Sequence, residues 1–250
     1  MSNRSNREQK MYVTGDTHGD EARMRCREFA YNQDLQEGDI LFICGDFGYI
    51  FDDGYREHLF LNYLADKPYI ICYVEGNHDN FDLINAYPVE IWNGGKVHII
   101  KRDKQDNPKI IHLMRGQVFH IYGKKFFTFG GAYSIDKYMR TPGFSWWEQE
   151  MPTDGEMEEG NRNLKANNYE VDYILTHAAP ESTMSLFHPD HEHEKPLNNY
   201  LEYVRENVKY KHWYMGHLHR DEDIWRNQTI LWFDVIDINN HERKDVHDKP

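Results

Sequence analysis

Three short apolar runs, at residues 11–15, 40–45 and 69–76, each close on a glycine, and each glycine is followed by a polar residue: Asp16, Asp46 or Asn77. Their β-branched and aromatic content, without polar alternation, predicts parallel strands buried on both faces. Helix-like segments at about 20–33 and 55–66 lie between them, so the three polar residues recur at roughly the 30-residue period of a βαβ unit. All three then fall outside the carboxyl ends of the strands, the edge at which open α/β sheets bind ligands.

The later pattern is more broken. Between about 89 and 131 short strand-like runs (97–100, 110–113, 118–121 and 125–131) are separated by Asp, Asn, Gly and Pro, which predicts a meander, with Gly130-Gly131 marking a tight approach. Residues 132–170 form a polar stretch rich in Trp, Glu and Asn, broken at Pro142 and Pro152, with a helix expected near 156–167. A strand at 171–176, an amphipathic helix at 196–209 built on Leu197, Tyr200, Leu201, Val204 and Val208, and a strand at 212–216 follow. An antiparallel finish (224–226, 229–233, 235–238) is expected to complete a single domain over 11–238, with polar tails at 1–10 and 239–250.

Composition narrows the function classes. A net charge of −13 argues against long non-specific contact with a nucleic-acid backbone, which needs a basic stripe, though not against a nucleotide substrate. Bound divalent cations would offset part of that charge. Three cysteines, Cys26, Cys44 and Cys72, do not make a paired framework, and two sit in apolar runs. No run approaches the length of an apolar membrane span and the first ten residues lack the apolar stretch of a secretory signal, so the expected location is the cytoplasm, with no membrane partner.

Five motifs carry the chemistry: Gly15-Asp16-Thr17-His18-Gly19, Gly45-Asp46, Gly76-Asn77-His78-Asp79, Thr176-His177 and Gly216-His217-Leu218-His219. Singly, each reads as an ordinary turn, loop or surface histidine. As an ordered set ending successive strands they spell a two-metal site, with donors that suit Mn²⁺ first, and Fe or Zn²⁺ also.

This set resembles the calcineurin-like metallophosphoesterase superfamily, whose signature runs D-x-H, G-D, G-N-H-[DE], a lone His and G-H-x-H. The resemblance implies an α/β fold of two facing mixed β-sheets flanked by helices, a four-layer sandwich. It implies one metal held by Asp16, His18, Asp46 and His219, a second by Asp46, Asn77, His177 and His217, and Asp46 as the bridge. The implied reaction is hydrolysis of a phosphate ester by in-line attack of a metal-bridging hydroxide, the two cations neutralising the charge that otherwise repels the nucleophile. It makes His78 the group that meets the substrate and protonates the leaving oxygen, with Asp79 beside it to orient the imidazole and raise its pKa. Electrostatic binding of phosphate alone is the other role open to His78.

Substrate choice must come from elsewhere. The segment from Gly130 to Glu148 resembles a segment of small bacterial and phage metallophosphoesterases and offers Lys137 and Arg140 as phosphate contacts and Trp146 or Trp147 as stacking surfaces; a packed aromatic plug with surface cations is the alternative. In the phosphoprotein phosphatase branch the second motif continues G-D-x-V-D-R-G, whereas Asp46 is followed here by Phe47-Gly48-Tyr49-Ile50-Phe51 with no Arg, and the third motif ends in Asp79 rather than Glu. That departure favours a phosphodiesterase or nucleotide phosphatase, acting on a nucleotide or short nucleic acid, over a protein or general phosphomonoesterase. A non-catalytic metal-binding scaffold is a third reading, weakened because every ligand type and His78 are retained. His188, Asp190, His191, Glu192, His193 and Glu194, between Pro189 and Pro196, read as an exposed solvated loop, with an extra metal site or a flap beside the centre as alternatives.

Overall fold

Each of the three glycine-terminated runs is a strand in a computed structural model, which describes residues 7–188, 191–225 and 227–245. Parts of both expected tails, Pro189 and Asp190 of the histidine loop, and Arg226 lie outside the described residues. In chain order the first half comprises β1 (Met11–Thr14), α1 (Glu21–Arg25), α2 (Ala30–Asp34), β2 (Ile40–Ile43), α3 (Tyr55–Ala65), β3 (Ile70–Tyr73), α4 (Phe81–Asn85), β4 (Val89–Trp92), β5 (Gly95–Arg102) and β6 (Pro108–Leu113). The second half comprises β7 (Gln117–Ile121), β8 (Lys124–Phe129), α5 (Asp154–Ala166), β9 (Tyr173–Thr176), α6 (Glu181–Phe187), α7 (Lys195–Asn207), β10 (His212–Met215), β11 (Glu222–Ile224), β12 (Gln228–Ile230), β13 (Val235–Asp237) and β14 (Glu242–Asp245).

Two mixed sheets result, an eight-stranded one in the order β14-β13-β1-β2-β3-β6-β5-β4 and a six-stranded one in the order β11-β12-β10-β9-β8-β7. The period-2 alternation of each strand decides the layering. Tyr12, Leu41, Ile43, Ile71 and Tyr73 face the core they share with α3 residues Phe60, Leu61 and Leu64. Their neighbours Met11, Val13, Ile40, Phe42, Cys44 and Cys72 turn the other way, against Phe126, Tyr173, Leu175 and Tyr214 of the second sheet. That sheet's outer face, with Phe127, Ile174, Trp213 and Met215, is covered by Leu164 of α5 and Leu197, Leu201 and Val204 of α7. The result is a helix–sheet–sheet–helix sandwich with both strand sets buried on two faces.

Several expectations need correction. The helix expected over 20–33 is two short ones, because the Asn32 amide donates to the carbonyls of Met24 and Cys26 and closes the chain on itself between them. The stretch read as one meander is divided: β6 pairs antiparallel with β5 on one edge and parallel with β3 on the other, with Ile71 opposite Ile110 and Cys72 opposite Ile111, while β7 and β8 belong to the second sheet. The finish is antiparallel only in part, since β12 runs parallel to β10, while β11 pairs with β12 and β13 with β1 in antiparallel fashion. Beyond Ile238, where a tail was expected, β14 adds to β13 as an edge strand whose Glu242, Arg243 and Lys244 are of the charged type that protects sheet edges.

Candidate metal centre

All five motifs lie on loops directly after β1, β2, β3, β9 and β10, so both sheets deliver polar side chains to one end of the sandwich. Asp16, Asp46, Asn77 and His177 form a buried floor, His78 and His217 are half-buried, and His18 and His219 are exposed at the rim. The backbone bends sharply to do this: His18, Asp46, His217 and His219 adopt left-handed φ values of 47°, 46°, 66° and 48°. Such conformations cost a non-glycine residue free energy and cluster where function requires them. The loops then brace one another. Asp16 accepts the His217 N–H on both carboxylate oxygens at 3.1 Å, Oδ1 of Asp46 accepts the His78 N–H at 2.8 Å, and the His18 N–H reaches the Asp46 carbonyl at 2.7 Å. Gly45 and Gly76 back directly onto the floor: a β-carbon would overlap the His177 imidazole at the first and the Asp46 carboxylate at the second.

Asp16, His18, Asp46 and His219 each present a ligand atom within 4.8 Å of the others. Nε2 of His219 is 3.2 Å from Asp16 Oδ2, and Nε2 of His18 is 3.6 Å from Asp46 Oδ2. Beside this group lies a second convergence. Nδ1 of His177 donates to the Cys44 carbonyl at 2.8 Å, which leaves Nε2 of the neutral ring with a lone pair facing Asn77 Oδ1 at 3.1 Å and Asp46 Oδ2 at 3.5 Å. Asn77 is oriented by its amide nitrogen, which donates to Ser134 Oγ at 3.0 Å, while Ser134 is itself held by Glu150 at 2.6 Å. Three acceptor atoms therefore point at one another with no donor between them, an arrangement a cation satisfies. His217 stands next to this group, its ring 5.0 Å from that of His177, with Nε2 3.2 Å from Glu194 Oε2.

Electrostatics point the same way. Burial, then the neighbouring Asp16 and Asp79 carboxylates, push Asp46 well above the usual carboxylate range, a repulsion that bound cations relieve. Burial holds His177 down at about 4, keeping the imidazole neutral as a ligand requires. For Glu194 burial works upward, but the His217 imidazole, by charge and hydrogen bond, outweighs it and holds the carboxyl at about 2.

The partner of His78 is not the one expected. Asp79 turns away from the imidazole: its carboxylate accepts the backbone N–H groups of Gly76, Gly48 and Phe47 at 2.8, 2.9 and 3.3 Å and so ties the loop after β3 to the loop after β2. Nη2 of Arg140 donates to His78 Nδ1 at 2.8 Å instead, and Asp136 holds the guanidinium at 2.8 Å. Burial and this cation lower His78 to about 3, opposite to the upward shift that Asp79 was expected to supply. Of the other substrate candidates, Lys137 packs between Tyr133 and Trp146, its Nζ 4.5 and 5.3 Å from the two ring centres. Trp147 is buried with Nε1 on Asp82 at 2.9 Å, so it presents no stacking face.

A cleft of about 420 Å³ opens over the centre, lined by Asp46, Asn77, His78, His217 and His219 together with Tyr133, Ile135, Met184 and Leu218. His188, His191, His193 and Glu194 also line it, so the histidine loop is a wall of the site and not simply a solvated surface turn. His191 and Glu194 are buried, His191 through a 2.7 Å bond to Glu181, and His193 stacks on Tyr133 at 5.1 Å. Ser134, Glu150, Tyr133 and Glu194 had no motif to announce them. For Glu194 the sequence signals are its place in the histidine loop, for which a flap beside the centre was one alternative, and a carboxylate one residue before a Lys-Pro helix start.

A layered α/β sandwich that gathers Asp, His and Asn donors at its strand ends defines a class of metal-dependent phosphate-ester hydrolases. The chain belongs to the calcineurin-like phosphoesterase family, whose model matches residues 10–221. No curated protein matches it. Among the described residues, no helix is long and apolar enough to cross a membrane.

Proposed function

We propose that the chain is a dinuclear phosphodiesterase or nucleotide phosphatase. The observation that carries this reading is the composition of the cleft: beside the donors of the floor, its lining includes apolar and aromatic groups, Ile135, Met184, Leu218 and the Tyr133–His193 stack. Such a lining suits an ester whose phosphate carries a large apolar or aromatic group. One ion would be held by Asp16, His18, Asp46 and His219 and the other by Asp46, Asn77, His177 and His217, with Asp46 common to both. The nitrogen and oxygen donor set without thiolate suits Mn²⁺ first, then Fe or Zn²⁺. The three cysteines are unpaired, which suits a reducing compartment, and we place the protein in the cytoplasm on that ground.

When bound, two divalent cations supply Lewis acidity at the phosphate oxygens and an activated water. The chain's own residues then orient and protonate. Arg140 would bind a non-bridging oxygen, the task that no residue directly after Asp46 can perform; its guanidinium on His78 at 2.8 Å supports this role. His78 meets the leaving oxygen; the bound phosphate anion, by engaging the Arg140 charge that adds to burial in depressing the imidazole, would let His78 take up the proton it delivers. Lys137, packed between the Tyr133 and Trp146 rings, and Trp146 are the further candidates for substrate contact. The test is the initial rate of Mn²⁺-loaded protein on p-nitrophenyl phosphate and on bis(p-nitrophenyl) phosphate, with a chelated control. Preference for the diester is expected; preference for the monoester would exclude the diesterase and leave a nucleotide or general phosphatase, and no turnover of either would favour the scaffold.

A further inference from the structure

Glu194 belongs to none of the metal motifs, yet it is one of the most constrained carboxylates in the molecule. It is buried, it directly precedes α7, and both of its oxygens are occupied. Oε1 accepts from Asn198 Nδ2 at 2.8 Å, and the same amide nitrogen is fixed on the Ala179 carbonyl at 2.9 Å. Oε2 accepts the Tyr133 N–H at 2.9 Å and lies 3.2 Å from Nε2 of His217. A helix N-terminus favours negative charge there, and Asn198 of α7, Tyr133 after β8 and His217 after β10 hold the carboxylate from three segments.

We propose that Glu194 is the positioning residue of His217: it takes the Nε2–H and thereby turns Nδ1, with its lone pair, toward the second cation. The inference rests on the dinuclear reading above. An imidazole has one nitrogen on each side of the ring, and the partner of one sets the tautomer and orientation of the other. His217 sits on a left-handed backbone (φ 66°) with its side chain largely buried, and Glu194 is the carboxylate that its Nε2 meets. Because the same oxygen holds the Tyr133 backbone, the ligand and the aromatic lining of the cleft share one anchor.

The test is Zn²⁺ calorimetry on wild type, Glu194→Ala and Glu194→Gln, combined with ¹⁵N-histidine correlation spectra of the Zn²⁺-loaded proteins. We expect two Zn²⁺ sites in wild type, with His217 coordinated through Nδ1 and protonated at Nε2. Glu194→Ala should weaken one site about 10- to 100-fold and leave the other unchanged, the range found when such outer partners are removed. Glu194→Gln, whose amide oxygen still accepts a hydrogen bond, should fall between them. Coordination of His217 through Nε2, or two unchanged sites in Glu194→Ala, would overturn the assignment while leaving the dinuclear centre standing. Equal loss of both sites with a lowered Tm would reduce Glu194 to a structural role and also overturn it. A wild type that binds no Zn²⁺ would remove the dinuclear reading itself.

Discussion

Arg140 and His78 stand 62 residues apart in sequence and meet at 2.8 Å, Nη2 against Nδ1. The segment after β8 thus puts a cation on the residue that follows a metal-ligand candidate, supplying the charge that the loop after β2 lacks. Asp136, four residues earlier, holds the guanidinium through Nε at 2.8 Å and Nη2 at 2.8 Å, so the fork is preorganised.

Replacing Arg140 should therefore damage turnover and not metal content. Arg140→Ala is expected to lower kcat/KM about 10²-fold, the scale for removing one donor that stabilises transition-state charge. Arg140→Lys should recover only part of this, because a point charge does not reproduce the fork. Steady-state kinetics beside metal analysis checks it; wild-type kcat/KM in Arg140→Ala would exclude the contact.

His78→Ala should keep both metals and lose roughly 10²–10⁴-fold in kcat, the range for a general acid. The loss should shrink along a series of esters with increasingly acidic leaving groups, which need less proton transfer. Equal losses across the series would leave His78 only the binding of phosphate.

Asp46→Asn should be the most damaging substitution to metal binding, since this carboxylate faces His18 at 3.6 Å and His177 at 3.5 Å and so belongs to both donor groups. Metal analysis after gel filtration should find both ions depleted. Two tightly held ions in that variant would refute the bridging assignment.

How much of this was legible beforehand depends on range. The strands that end in Gly15, Gly45 and Gly76, and the donors after them, were readable because a buried parallel strand and its exit turn are written in adjacent residues. The partner of β6 was not, because Ile110 and Ile111 suit any strand that offers two apolar faces; only packing chooses β3. Asp79 misled for a related reason: adjacency to His78 implied contact, but the turn sends successive side chains in different directions and the carboxylate finds three N–H groups instead. Arg140 was a candidate from its place in the segment after the strand at 125–131 and that segment's resemblance, and its contact with His78 is wholly tertiary. Glu194 was read with its acidic and basic neighbours as solvated, because burial of one residue in a charged run leaves no trace in the run.

A last prediction concerns acid stability and lies away from the metal loops. His212 opens β10 at the end opposite His217, with Nε2 on Thr229 Oγ1 at 2.8 Å and its ring 4.3 Å from that of His241. Burial, and then repulsion from His241, lower it from 6.5 to about 4. A histidine depressed on folding binds its proton more readily when unfolded, so the unfolded state gains protons first as pH falls. The stability His212 contributes is complete above about 6.5, declines below it, and is lost as pH passes through about 4. His212→Gln removes the titration while keeping a polar group near Thr229. Its Tm should therefore fall less steeply than wild type between those pH values, measured on metal-free protein so that ligand protonation is common to both. Parallel Tm curves would mean that His212 titrates alike in the folded and unfolded chains.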